Sequence, residues 1–251
     1  MNPLKRMWRL CKQGLLMASG RYRHSGERVS PEFPDAQFDQ HVRLYECAGQ
    51  LVNGKTVLDL GCGTGYGTHA LSVRGAKAVY GVDSETDAVA YSKRKYAGES
   101  VQFREMDALD ITYPNDSFDV VVCIEVLQQL TDPDKSLAQI RRVLKRGGVL
   151  FLTAPNKEIL SPASEGTSCK YHVHEFTFEE LEEALKKQFR SVLIIESPTE
   201  SESYVGRKMK EERRRKGKIG LEPGTKPLQV GKLKVDLSGL ADIRSFVVFA
   251  W

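Results

Sequence analysis

Apolar residues recur along this chain in short runs that close on an acid, a glycine or a polar turn. Between those runs they recur at helical spacing. Val57, Leu58 and Leu60 with Asp59 form the first such run, 79–83 the second and 101–105 the third. Runs of this length bounded by turn residues predict buried strands. Residues 120–124, Val-Val-Val-Cys-Ile, are apolar without interruption, as expected of a central parallel strand covered on both faces. Residues 149–153 and 191–196 predict the fifth and sixth strands, and 245–250 a last one. Phe38, Val42, Tyr45, Ala48 and Leu51 fall on one helical face and predict a helix over 36–52, closed by Asn53-Gly54. Further helices are predicted over 68–73, 86–96, 134–144 and 178–188, the last opened by a Thr177/Glu180 capping box. Strand and helix alternate, which is the pattern of an α/β fold.

Glycines stand at every second position after the first strand: Gly61, Gly63, Gly65 and Gly67. Such a turn lets the backbone pass close to a partner without a Cβ in the way, and its N–H groups form the rim of a nucleotide-type pocket. The dinucleotide fingerprint is not met, because its third glycine would fall at Tyr66. Asp83 closes the second strand about 20 residues beyond the turn, where an acid can accept from ribose hydroxyls.

The string Asp59-Leu60-Gly61-Cys62-Gly63-Thr64-Gly65 resembles motif I of the class I S-adenosylmethionine (SAM)-dependent methyltransferases. The resemblance implies a Rossmann-like, doubly wound, seven-stranded sheet, mostly parallel with an antiparallel last strand. It also implies a cofactor site of Asp59, Gly61, Cys62, Gly63 and Gly65, with SAM as cofactor and S-adenosylhomocysteine as its product. Asp83, with Ser84 beside it, matches the ribose acceptor, and Asp107 with Ala108 matches the residues that frame adenine. Cys123 and Ile124 end a strand similar to motif IV, which flanks the methionyl group and the methyl. The family often reads Glu-x-x-Glu-His after that strand; this chain reads Glu125-Val126-Leu127-Gln128-Gln129 and lacks the histidine. It also reads Arg43-Leu44-Tyr45 where the family often has Arg-Tyr before motif I.

Residues 1–35 are a separate basic segment, and 36–251 form the methyltransferase domain with a basic insertion at about 200–243. Residues 1–26 carry six Lys or Arg, no acid, and interleaved apolar residues. Peripheral contact with an anionic membrane, a transit peptide and a cover over the site all fit that pattern. The net charge of +4 is too mild to call for nucleic acid. Five cysteines without a C-x-x-C pair point to a reducing, cytoplasmic setting, with Cys62 and Cys123 as small buried thiols. No apolar run approaches the roughly 20 residues of a membrane span.

In sugar and lipid O-methyltransferases that resemble this chain, a histidine just before the helix at 178 lies at the substrate mouth, and His172 matches it. His172 is the first candidate for a catalytic base and His174 the second. An H-x-H pair without a third ligand gives no metal site. The leading expectation is O-methylation of a small metabolite, a sugar or a lipid-linked acceptor, with the basic insert drawing an anionic one. RNA methylation through that insert and a non-catalytic SAM-binding scaffold are the alternatives.

Overall fold

The computed structural model describes residues 29–32, 34–161, 167, 169–196, 219–220, 228–230, 233–237, 240 and 245–251. The basic N-terminal stretch and most of the insertion at about 200–243 lie outside them. The chain divides into two compact units, the first ending at Ala108 and the second running from Leu109 to Trp251.

The first unit opens with α1 (Ala36–Ala48), whose N-cap Asp35 accepts from the Phe38 N–H at 2.8 Å. It continues through β1 (Thr56–Leu60), α2 (Tyr66–Val73), β2 (Ala78–Asp83), α3 (Thr86–Tyr96) and β3 (Val101–Glu105). The three strands pair in parallel in the order β3-β2-β1, with Asp59 opposite Gly81 and Asp83 opposite Glu105. Val57, Leu58 and Leu60 are fully buried, which accounts for the apolar run. Helix α1 stops earlier than its periodicity predicts. Gly49 crosses the end of α2 so closely that a Cβ would lie 2.8 Å from Arg74 Cγ, and the chain tightens into turns at Gln50 and Leu51.

The second unit holds β4 (Phe118–Ile124), a 3-10 turn (Leu127–Gln129), α4 (Pro133–Val143), β5 (Leu144–Pro155) and a single helical turn, α5 (Lys157–Leu160). After these come α6 (Phe178–Lys186), β6 (Val192–Glu196), β7 (Ile219–Gly220), the β8 (Leu228–Val230) and β9 (Leu233–Val235) hairpin, and β10 (Ser245–Ala250). β4 and β5 are parallel, whereas β10 runs antiparallel to both β5 and β6. The seven main strands β1–β6 and β10 thus give the mostly parallel α/β fold with an antiparallel last strand, and β7 adds a two-residue edge. Phe118, Phe151, Phe246 and Phe249 are the largest fully buried side chains of this unit among the described residues. Residues 157–160 form a helical turn whose Glu158 N–H is capped by the Asn156 side chain at 2.9 Å. Among the described residues, no helix is long and apolar enough to cross a membrane, and no three metal-ligating side chains cluster.

Candidate functional site

The glycine turn joins β1 to α2. Gly61, Gly63 and Gly65 have φ of 73°, 53° and 78°, a region that favours glycine. Gly65 is also sterically fixed, since a Cβ there would lie 2.7 Å from Ser92 and 2.9 Å from Phe103. The turn is tied to β2 by the Gly61 and Cys62 N–H groups, which both donate to the Val82 carbonyl. Asp83 holds it from the side: one carboxylate oxygen accepts from the Gly63 N–H at 2.8 Å, the other from the Glu85 N–H at 3.0 Å. Ser92 on α3 donates to the Gly63 carbonyl at 3.0 Å. The acid at the end of β2 and the second glycine, 20 positions apart in sequence, therefore form one structural unit.

Asp59 lies beneath the turn and is fully buried. It accepts from the Thr68 hydroxyl at 2.6 Å and from the Tyr45 hydroxyl at 3.2 Å. Burial raises its carboxyl to a pKa of about 7; the two hydroxyl donors oppose that rise and the nearby Asp83 adds to it. Burial, reinforced by Asp59 and Asp83, also pushes the Cys62 thiol well up, so it remains neutral and unreactive. Ser84 and Asp107 are exposed and Ala108 is buried, with the Met106 N–H bonded to the Asp83 carbonyl at 2.9 Å. The first unit thus gathers most of the sequence-derived cofactor residues around one turn.

In the second unit, Cys123 and Ile124 are buried at the end of β4. Glu125 follows with φ of 56°, a left-handed conformation uncommon outside glycine. Its N–H donates to the Thr153 carbonyl and to the Thr153 hydroxyl, both at 3.2 Å, and that hydroxyl donates to the Glu125 carboxyl at 2.8 Å. The turn after Glu125 grips the histidine segment, for the Gln128 carbonyl accepts from the Val173 and His174 N–H groups at 2.8 and 3.1 Å. The Lys157 N–H donates to the Phe176 carbonyl at 3.0 Å and fixes the other end.

The two histidines diverge. His172 Nδ1 lies 2.7 Å from Glu175 Oε1, and the Ser161 hydroxyl donates to Glu175 Oε2 at 2.6 Å. Glu175 is 1% exposed. An ionised carboxylate only accepts, so with Glu175 ionised the bond between them is donated by His172 Nδ1–H. His174 turns the other way, with Nε2 3.4 Å from the Glu180 carboxylate and both side chains open to solvent. Glu180 is the acid of the capping box that opens α6.

Tyr45, Thr68, Gly67, Glu125 and Glu175 are absent from the sequence-derived site. Gly67 stands in the glycine series, Glu125 in the string after motif IV and Glu175 beside the histidines, so each carried a local signal. Thr68 carried none.

Residues 58–152 match the family described as a methyltransferase domain. A protein of Mycolicibacterium smegmatis named as a probable S-adenosylmethionine-dependent methyltransferase is 30% identical over 164 residues, 64% of this chain and 63% of its own length. A ubiquinone biosynthesis O-methyltransferase of Pseudomonas syringae pv. tomato is 37% identical over 107 residues, 41% of this chain and 46% of the relative. The chain therefore spans less than two thirds of the curated relatives it matches. A crystal structure of a SAM-dependent methyltransferase from Archaeoglobus fulgidus shares the fold, with a TM-score of 0.58 at 18% identity over 86% of this chain and 94% of the other.

Proposed function

We propose that the protein is a class I SAM-dependent methyltransferase that transfers the cofactor's methyl group to a hydroxyl of a small metabolite, a sugar or a lipid-linked acceptor. The methyltransferase-domain match over residues 58–152 and the relatives named as SAM-dependent methyltransferases support this reading. The observation that carries the choice of oxygen is the His172–Glu175 pair. A hydroxyl of high pKa must give up its proton as the new O–C bond forms. A neutral imidazole with Nδ1 held by a buried carboxylate is oriented to receive that proton on Nε2.

The residues at the glycine turn fit the cofactor. Positive φ at three glycines keeps Cβ atoms off the turn, the Asp83 carboxylate suits the hydroxyls of a nucleoside, and the buried Asp59 braces the turn from beneath through Thr68 and Tyr45. A carboxylate has about four acceptor positions, so Asp83 accepts from ribose hydroxyls as well as from the turn. The Asp107 carboxylate takes the adenine amine beside Ala108, and Ser84 lies at the ribose edge. For Cys123 and Ile124 at the end of β4, the resemblance to motif IV implies a role beside the methionyl chain. When bound, SAM supplies an activated methyl on a sulfonium. The chain's own residues orient the acceptor oxygen for in-line attack and remove its proton, and orientation alone lowers the barrier by several kcal/mol. His174, paired with Glu180 on the surface, stands as the second base.

The test is methyl uptake from methyl-labelled SAM into the small-molecule fraction of a cell extract. The expected result is a labelled, alkali-stable methyl ether, with uptake falling about a hundredfold or more in His172→Ala while SAM affinity holds. Label arriving only on nitrogen, or unchanged uptake in His172→Ala, removes the base assignment.

A further inference from the structure

The two carboxylate oxygens of Glu175 meet different side chains. Oε1 lies 2.7 Å from His172 Nδ1, and Oε2 accepts from the Ser161 hydroxyl at 2.6 Å. Ser161 stands 14 positions before Glu175 and closes the single turn α5, where its N–H donates to the Lys157 carbonyl at 2.9 Å. The same turn opens at Asn156, which pairs with Phe176, the residue after Glu175, and the Lys157 N–H donates to the Phe176 carbonyl. From the other side, the Gln128 carbonyl holds the Val173 and His174 N–H groups. Main-chain bonds therefore set the path of the chain at both Ser161 and Glu175, without help from the Ser161 hydroxyl. That hydroxyl belongs to a residue 7% exposed and is directed at a carboxylate 1% exposed. Burial favours the neutral form of a carboxyl, and a hydrogen bond donated to the charged form opposes this. A donor on Oε2 thus favours an ionised Glu175, and the consequence falls on the other oxygen. Ionised, Glu175 accepts from Nδ1–H and leaves the lone pair on Nε2. Protonated, it would donate to Nδ1 and shift the ring proton to Nε2, which could then take no proton from an acceptor.

We propose that Ser161 is a positioning residue whose hydroxyl, acting through Glu175, holds His172 in the tautomer with Nε2 free to take the acceptor's proton. The inference rests on His172 being the base. In the step it serves, the acceptor O–H bond breaks and its proton goes to Nε2. The O–CH3 bond forms, and the methyl–sulfur bond breaks with its electron pair left on sulfur. The Ser161 hydroxyl keeps its own proton throughout. His174 has no part in this relay, since its Nε2 faces Glu180 at the surface.

Nitrogen-15 NMR of the imidazole rings reads the tautomer with no acceptor present. It is run on the full chain, on the alkaline side of the ring titration, with the His172 signals assigned by their absence in His172→Ala. The wild type is expected to show the Nδ1–H form. Ser161→Ala is expected to shift the tautomer ratio toward Nε2–H about tenfold and to lower methyl uptake from labelled SAM about tenfold, with KM for SAM unchanged. Ser161→Cys, close in size but a weak donor, is expected to move both readings the same way, and it replaces Ser161→Ala if that variant does not fold. Ser161→Thr keeps the hydroxyl and is expected to recover both. In a Glu175→Gln background, Ser161→Ala is expected to cost no further turnover. An unmoved tautomer in Ser161→Ala overturns the inference, and so does a full tenfold loss in the Glu175→Gln background. If His172→Ala leaves uptake unchanged, the base reading falls and takes this inference with it, even where the tautomer moves. If His172→Ala abolishes uptake while Ser161→Ala leaves the tautomer unmoved, the inference alone falls.

Discussion

The Tyr45 ring lies so close to Gly67 that a Cβ on Gly67 would sit 2.0 Å from Tyr45 Cζ. That closeness lets a residue of α1 pass over the start of α2 and bring its hydroxyl to Asp59 under the glycine turn. The Tyr45 and Tyr66 rings, 5.7 Å apart and edge to face, complete the packing there. Gly67→Ala is expected to push Tyr45 aside and destabilise the protein by about 1 to 3 kcal/mol, the range for overpacking a filled core. Tyr45→Phe keeps the ring and removes only the hydroxyl, so it should cost less. Thermal unfolding of the two variants checks the order, and a milder Gly67→Ala than Tyr45→Phe would contradict it.

Asp59 gives a pH dependence with a definite sign. Its folded pKa is raised to about 7, above the ordinary carboxylate value, so the folded state holds a proton that the unfolded chain releases. The stability it contributes is present below the unfolded pKa and is lost as pH rises through about 7. His41 works in the opposite sense: burial lowers it to about 4, so its contribution is present above its ordinary value and is lost as pH falls toward 4. Comparing wild type with Asp59→Asn cancels His41. The variant is expected to be the more stable at pH 8, by on the order of a few kcal/mol, with the advantage shrinking toward pH 4. Denaturant melts at both pH values measure it. An advantage that grows on acidification would show that Asp59 is ionised without cost.

The proposed function gives the two histidines different roles. Glu175→Gln leaves His172 beside an amide that no longer fixes its tautomer, and turnover is expected to drop at least tenfold with SAM affinity retained. His174→Ala removes an exposed partner of Glu180 and is expected to cost under about 1 kcal/mol in stability, with turnover within about twofold of wild type. Initial rates of methyl uptake for both variants decide this, and a larger loss in His174→Ala would exchange the roles.

What the sequence made legible were features that repeat or punctuate. Buried parallel strands read as apolar runs because both faces are covered, and the acids at the ends of β1 and β2 stand out against them. The place of Asp83 at the end of β2 was legible from spacing, but its bond to the Gly63 N–H was not. Nor were the contacts of Asp59, because Tyr45 and Thr68 reach it from separate helices only after packing brings them in. Nothing in the string after β4 marked Glu125 as left-handed, since that conformation is imposed by Thr153 from the neighbouring strand. The two histidines looked equivalent in sequence. The buried Glu175 on one side and the cap residue Glu180 on the other distinguish them.

Calorimetric titration with S-adenosylhomocysteine tests the central claim most directly, run on the wild-type chain and on Asp83→Ala. The variant loses the acceptors for the part-buried Gly63 and Glu85 N–H groups, about 1 kcal/mol for each hydrogen bond removed. The expected result is saturable heat with the wild type and affinity lowered at least tenfold in a variant that still melts cooperatively. No heat with the wild type, or equal affinity in Asp83→Ala, would mean that the glycine turn does not hold a nucleoside.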